Sequence, residues 1–236
     1  MNRDVIIALD FARSQEVFEF LKKFGDRRPY VKVGMELYFS EGPDIVRELK
    51  KRGYKVFLDL KLCDIPNTVR SAMKVIASLN VDMTNVHIYG GQTMMKWAVE
   101  GLESSSGEKP ILLGITQLTS TSEKQMNEEL LIQGNINDVI VKYAEKAKCA
   151  GLSGVVCSPL EAKLIHEKCG KDFLTVTPGI RFGGAMICDQ KRITTPAQAG
   201  EESDFIVMGR PITEAVNPLA AYDRALKEFL GQISKI

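Results

Sequence analysis

The sequence predicts a single-domain (β/α)8 barrel of the TIM type over residues 1–236. Three observations carry the prediction. Eight short apolar runs alternate with amphipathic helical patterns from one end of the chain to the other. Most runs are nearly continuously apolar, as parallel strands covered by helices must be. Polar and charged residues collect at the C-terminal ends of these runs, the face on which such barrels carry their sites. An open doubly wound sheet is the alternative, but the G-x-G-x-x-G turn that would favour it does not follow the first run. No linker or composition shift divides the chain.

Taken in order, the first strand is expected at 5–10 and ends on Asp10. The second, at 30–34, is interrupted by Lys32. In the helix that follows, Ile45, Val46 and Leu49 share a face opposite Arg47, Glu48 and Lys51, and Gly53 sits where the helix should stop. The third strand, 55–62, runs from Val56-Phe57-Leu58 into Asp59-Leu60-Lys61-Leu62-Cys63-Asp64. The fourth, 82–88, brings His87 to its end, and the fifth, 111–118, closes on Thr116 to Thr119. Before the sixth strand, Val139, Tyr143, Ala144 and Ala147 form one helical face, with Asn137 or Asp138 placed to cap it and Gly151 to end it. Strands at 154–158, 174–178 and 205–209 complete the set, with a short helix at 197–202 before the last. The final helix carries Leu219, Tyr222, Leu226, Phe229 and Leu230 on one face, with Pro218 in its first turn. The expectation is eight strands and eight helices.

Composition narrows the function. With 31 Lys+Arg against 30 Asp+Glu and no basic stretch, nucleic acid is not an expected partner. No apolar run approaches the ~18–20 residues of a membrane span. The five cysteines, Cys63, Cys149, Cys157, Cys169 and Cys188, form no C-x-x-C pair. That argues for a reducing compartment and against both a disulfide framework and a zinc site. Residues 1–4 run into a strand, not into a signal-peptide apolar region, so a cytoplasmic protein is expected.

The chemistry centres on the third strand. Asp59 and Lys61 fall on one face by strand alternation, with Leu60 and Leu62 on the other. Buried charge is costly unless well paired, so a dense alternating array of Asp10, Lys32, Asp59, Lys61 and Asp64 at a barrel mouth points to function. At the eighth strand, Gly209 permits close backbone approach and Arg210 offers a fork that fits phosphate. Arg181 follows the seventh strand. The stretch 181–194 is long for such a connection, with Gly183-Gly184 as a hinge and Asp189-Gln190-Lys191-Arg192 as polar reach, and is expected to close as a lid. His87 reads as a satisfied strand-end histidine, His166 as solvent-facing, and Met94-Met95-Lys96-Trp97 as core or subunit packing. No nucleophile triad, Walker A loop or H-E-x-x-H occurs.

These motifs converge. Asp59-Leu60-Lys61-Leu62-Cys63-Asp64-Ile65-Pro66-Asn67-Thr68 resembles the D-x-K-x-x-D-I-x-x-T signature of the orotidine 5′-phosphate decarboxylase family, in its bacterial, stand-alone branch. The resemblance extends along the chain through Ile7-Ala8-Leu9-Asp10, Val31-Lys32-Val33-Gly34, Thr116-Gln117-Leu118-Thr119-Ser120, Val176-Thr177-Pro178-Gly179-Ile180-Arg181 and Gly209-Arg210-Pro211-Ile212-Thr213. It implies cofactor-free decarboxylation of orotidine 5′-monophosphate to uridine 5′-monophosphate, without metal, in a homodimer with shared sites. By position, Lys61 would protonate C6 and Asp59 would lie beside the substrate carboxylate. Lys32 and Asp64 would complete the charged array, and Asp10 and Lys32 would hold the ribose hydroxyls. Asp64, Ile65 and Thr68 belong to the motif's downstream half, of which Asp64 and Thr68 would reach the neighbouring subunit's site. Thr119 would read the pyrimidine edge, and Arg181, Gln190, Gly209 and Arg210 would surround the phosphate. Ile88-Tyr89 departs from the family, where smaller residues are usual. A magnesium-dependent sugar-phosphate lyase is the nearest rival; its relatives place an acid where Lys32 stands. A non-catalytic phosphate-binding barrel would have no use for two lysines among carboxylates.

Overall fold

A computed structural model of the chain describes residues 3–103, 109–183 and 194–231. Eight parallel strands pair in chain order and close on themselves. They are β1 (Asp4–Ala8), β2 (Tyr30–Gly34), β3 (Val56–Leu62), β4 (Met83–His87), β5 (Ile111–Ile115), β6 (Gly154–Val156), β7 (Leu174–Thr177) and β8 (Phe205–Met208). Closure is made by β1 on β8, with Asp4 opposite Phe205 and Ile7 opposite Met208. The predicted (β/α)8 barrel is the observed architecture.

Alternation along each strand divides the apolar residues into two cores. Ile6, Tyr30, Phe57, Met83, Leu174 and Phe205 point inward and fill the barrel. Their neighbours Val5, Val31, Val56, Leu58, Val155 and Ile206 point outward and are covered by helices. The same parity carries upward: Asp10, Lys32, Asp59, Asn85 and Gly209 continue the inward-facing positions of β1, β2, β3, β4 and β8. A floor of apolar side chains therefore lies directly beneath a ring of polar ones.

The outer layer comprises α1 (Ser14–Lys22), α2 (Met35–Glu41), α3 (Asp44–Lys51), α4 (Pro66–Ser78), α5 (Gly91–Glu103), α6 (Glu123–Glu128), α7 (Ile136–Cys149), α8 (Pro159–Cys169), α9 (Pro196–Ala199), α10 (Arg210–Thr213) and α11 (Pro218–Phe229). None of the described helices is long and apolar enough to cross a membrane. The expected Ile45, Val46 and Leu49 face of α3 is buried. In α11, Tyr222 and Phe229 are buried and Pro218 lies in the first turn.

Several expectations need correction. Eight helices were expected, whereas the described residues hold eleven α-helices and a 3-10 turn at Ile88–Gly90, because α2, α6 and α10 are short additions within βα loops. Most strands stop one to three residues before the predicted end: β5 ends at Ile115, not at 118, and β1 at Ala8, not at 10. One further interstrand hydrogen bond follows each of those ends, from Leu9 N–H to the Lys32 carbonyl and from Thr116 N–H to the Val156 carbonyl, before the chain leaves the ladder for the rim loops. The cap of α7 is Asn135, whose side chain accepts the Asn137 N–H. Ile136 already begins the helix, so the cap must precede it. The short helix lies at Pro196–Ala199, under a Thr195 capping box, instead of 197–202. His166 is not solvent-facing: its ring lies 3.2 Å from Asp204, with a side chain 10% exposed. Asp204 also accepts the Thr175 N–H at 2.8 Å, so α8 is tied to the base of β7 and β8.

Candidate active site

The polar ring encloses a cavity of about 520 Å³ at the C-terminal mouth of the barrel, floored by Ala8, Phe57, Val156 and Val207. Charges alternate around one side of it. Lys32 Nζ stands 3.4 Å from Asp10 Oδ1 and 3.4 Å from Asp59 Oδ2. Lys61 Nζ contacts Asp59 Oδ1 at 2.7 Å. The order Asp10, Lys32, Asp59, Lys61 thus spans β1, β2 and β3, so each ammonium faces a carboxylate. Gly34 keeps the ring open: a Cβ there would come within 3.1 Å of Lys32 Nζ.

Lys61 and Asp59 meet as the sequence predicts, but not by simple alternation. Lys61 adopts φ 53°, a left-handed conformation that costs an L-residue energy. The ladder between β3 and β4 shifts register between Leu58 and Leu62. Asn85 fills the break, accepting the Lys61 N–H at 2.8 Å and donating to Asp59 Oδ1 at 2.7 Å.

Burial pushes the Asp59 carboxyl pKa up, but Lys32, Lys61 and the hydrogen bonds from Lys61 and Asn85 outweigh it and leave it below the usual value. Asp59 is therefore ionised at neutral pH although only 8% exposed. Burial, with Lys61 nearby, lowers the His87 pKa against a smaller opposing pull from Asp59. A neutral ring at neutral pH follows. The His87 ring lies tilted against Tyr89, with centroids 4.6 Å apart.

The opposite side of the cavity is built from loops. Gln117, Thr119 and Ser120 line it after β5, and Pro178, Gly179 and Arg181 after β7. Gly209, Arg210 and Glu214 complete the rim. A Cβ on Gly209 would lie 3.3 Å from Asp10 Oδ2, so glycine lets the β8 turn close on the mouth. Ile180 bridges to Thr194, and the Arg181 N–H bonds the Thr194 carbonyl at 3.1 Å. That contact ties the two ends of the expected lid together. Gln190 and most of the lid lie outside the described residues.

Of the residues singled out from sequence, Asp10, Lys32, Asp59, Lys61, Thr119, Arg181, Gly209 and Arg210 converge on this cavity. Asp64, Ile65 and Thr68 do not line it. They are exposed, beyond the end of β3 and at the start of α4, and Asp64 Oδ1 accepts the Ile65 N–H at 2.6 Å. Asn85 and Glu214 were missed by the sequence reading. The signal for Asn85 was its parity, two residues before His87 in an otherwise buried strand. Among the described residues, no three His, Cys, Asp or Glu side chains are grouped to hold a metal ion.

A family model described as Orotidine 5′-phosphate decarboxylase / HUMPS family matches residues 3–225. The chain belongs to this family. An orotidine 5′-phosphate decarboxylase of Bacillus cereus (strain G9842) is 51% identical over 235 residues, covering 98% of this chain and 99% of its own length. That of Bacillus mycoides (strain KBAB4) shows the same identity and coverage. The crystal structure of orotidine 5′-phosphate decarboxylase from Lactobacillus acidophilus superimposes with a TM-score of 0.88 at 43% identity, over 97% of this chain and 100% of that one. The orotidine 5′-phosphate decarboxylase / HUMPS family thus accounts for the barrel and nearly all of its length. The departure at Ile88-Tyr89 leaves the charged ring intact: Ile88 is buried and Tyr89 is exposed against His87.

Proposed function

We propose that this chain decarboxylates orotidine 5′-monophosphate to uridine 5′-monophosphate, the last step of de novo pyrimidine nucleotide synthesis. The observation that carries the reading is the Lys61 ammonium held 2.7 Å from an ionised, buried Asp59 within an alternating ring. Loss of carbon dioxide breaks the C6–carboxylate bond and leaves an electron pair on C6. Lys61 stabilises that developing charge and delivers its Nζ proton to C6; water later restores the proton. Asp59 pairs with the Lys61 ammonium at 2.7 Å and opposes the substrate carboxylate, an opposition relieved as neutral carbon dioxide departs. Fixed charge of this kind favours the transition state over the ground state.

Asp10 and Lys32 take the ribose hydroxyls, and Thr119 takes the pyrimidine edge. Arg181, Gly209 and Arg210 hold the phosphate, joined by Gln190. Binding energy from that remote group offsets the cost of crowding charge at the reacting bond. Asp64, Ile65 and Thr68 serve the site of a second copy in a homodimer. Their exposure outside their own cavity supports this reading. A cytoplasmic setting agrees with the free thiols of Cys63, Cys149, Cys157 and Cys169.

The test is turnover of orotidine 5′-monophosphate by the purified chain, followed by loss of substrate absorbance with and without a chelator. Equal, substantial turnover in both is expected. Turnover abolished by chelator, or found only with a sugar phosphate, would favour the magnesium-dependent lyases instead.

A further inference from the structure

Asn85 lies fully buried on β4, with both ends of its amide engaged by β3. Between the Leu58–Thr84 and Leu62–Val86 pairings, Asp59, Leu60 and Lys61 stand opposite this one residue. A strand that bulges so far leaves backbone groups without ladder partners. Asn85 Oδ1 supplies the acceptor that the Lys61 N–H would otherwise lack, at 2.8 Å. Its Nδ2 donates to Asp59 Oδ1 at 2.7 Å, the same oxygen that receives Lys61 Nζ. One amide therefore fixes the main chain of Lys61 and the rotation of the carboxylate that Lys61 grips. Lys61 is also one of three described non-glycine residues with positive φ, and the only one of them within a strand. Such a conformation persists only where its surroundings over-determine it.

We propose that Asn85 is a positioning residue for the decarboxylation, aiming the Lys61 ammonium by clamping both its backbone and its carboxylate partner. The inference rests on the function proposed above but concerns a residue outside the substrate-binding set. Both functions need a donor and an acceptor on one short side chain, and a primary amide supplies them. Asparagine meets that need without adding charge. The charged and titratable groups around it are Asp59 and Lys61 from β3, His87 on β4, Lys32 from β2 and, beyond Lys32, Asp10 after β1.

Asn85→Ala and Asn85→Asp, compared with the parent chain, test the clamp. Asn85→Ala should lower kcat about 100-fold, as misplacement of a reacting group by an ångström does. KM and binding of uridine 5′-monophosphate should stay within about threefold, because no substrate contact is removed. The acid limb of the kcat profile should move towards neutral pH, since Asp59 loses a donor to its charged form. Asn85→Asp keeps the acceptor for Lys61 but sets a carboxylate against Asp59. Its kcat should be low at alkaline pH and partly recover as a proton enters between the two carboxyls.

A kcat within threefold of the parent in both variants, with an unmoved acid limb, would overturn the proposal. So would a loss confined to KM. Should Asn85→Ala not fold, the nearly isosteric Asn85→Asp carries the same comparison. A crystal structure of either variant is independent of turnover: Lys61 should leave the left-handed region or Nζ should leave Asp59, and retention of both would refute the clamp. A parent chain that fails to decarboxylate orotidine 5′-monophosphate would count against the proposed function, not against this geometry.

Discussion

Asp59 keeps its charge at a depth where burial pushes its pKa up, and it does so through Lys32, Lys61 and Asn85. Removing the Lys61 ammonium should therefore remove both the proposed proton source and the charge that balances Asp59. Lys61→Ala should lower kcat by at least about 10³-fold, within the range for losing a positioned acid and its electrostatic partner. The protein should remain folded by circular dichroism and still bind uridine 5′-monophosphate; kcat within tenfold of the parent would end the proton-donor assignment. The same carboxylate makes a stability prediction. Its pKa is depressed in the folded state, so its contribution is complete above the unfolded value of about 4 and is lost as pH falls through the folded value. Urea midpoints measured from pH 6 to pH 3 should fall more steeply for the parent than for Asp59→Asn. At the far end of the cavity, Arg210→Ala should raise KM for the nucleotide by about tenfold or more and leave turnover of the phosphate-free nucleoside almost unchanged. Equal losses with both substrates would make Arg210 a structural residue.

At the scale of elements, the barrel is legible because apolar content, helical faces and turn glycines repeat in step. Gly53 and Gly151 do end helices in left-handed conformations, at φ 83° and 90°. What escaped the sequence is what depends on exact register. The placement of Lys61 comes from a break in the β3–β4 ladder, and alternation alone cannot foresee a bulge or its Asn85 plug. Gly101 was equally silent, since a glycine inside a helical pattern reads only as a weak helix former. In the folded chain it is the point where α5 meets α4: a Cβ there would collide with the Arg70 carbonyl and lie 2.8 Å from Met73 Cβ. Gly101→Ala should therefore destabilise the protein by about 1–3 kcal/mol, the usual cost of overpacking, despite alanine's better helix propensity. A thermal midpoint equal to or above the parent's would show that the two helices part without cost. His166 misled for a related reason: its neighbours Glu167 and Lys168 are charged, yet its own position turns the ring under α8 to Asp204.

The whole molecule leaves part of its proposed machinery outside its own cavity. Asp64, Ile65 and Thr68 are exposed where β3 gives way to α4, and Ile65 is 67% exposed. An isoleucine and a carboxylate are presented together there, and on the proposed reading each has a use against a second copy's mouth. A two-fold symmetric pair would let each chain lend Asp64 to the other, so two sites form from two chains. Subunit exchange between the inactive variants Lys61→Ala and Asp64→Ala decides the matter. If Asp64 acts across the interface, a mixed dimer gathers both lesions into one site and leaves the other intact. Random mixing of equal amounts makes about half the dimers mixed, each with one working site, so activity should return to about a quarter of the parent's. If Asp64 acts within its own chain, every site in the mixed dimer keeps one lesion and mixing restores nothing. Sedimentation at assay concentration supplies the second arm: a fully active monomer would refute the shared site whatever the mixing shows.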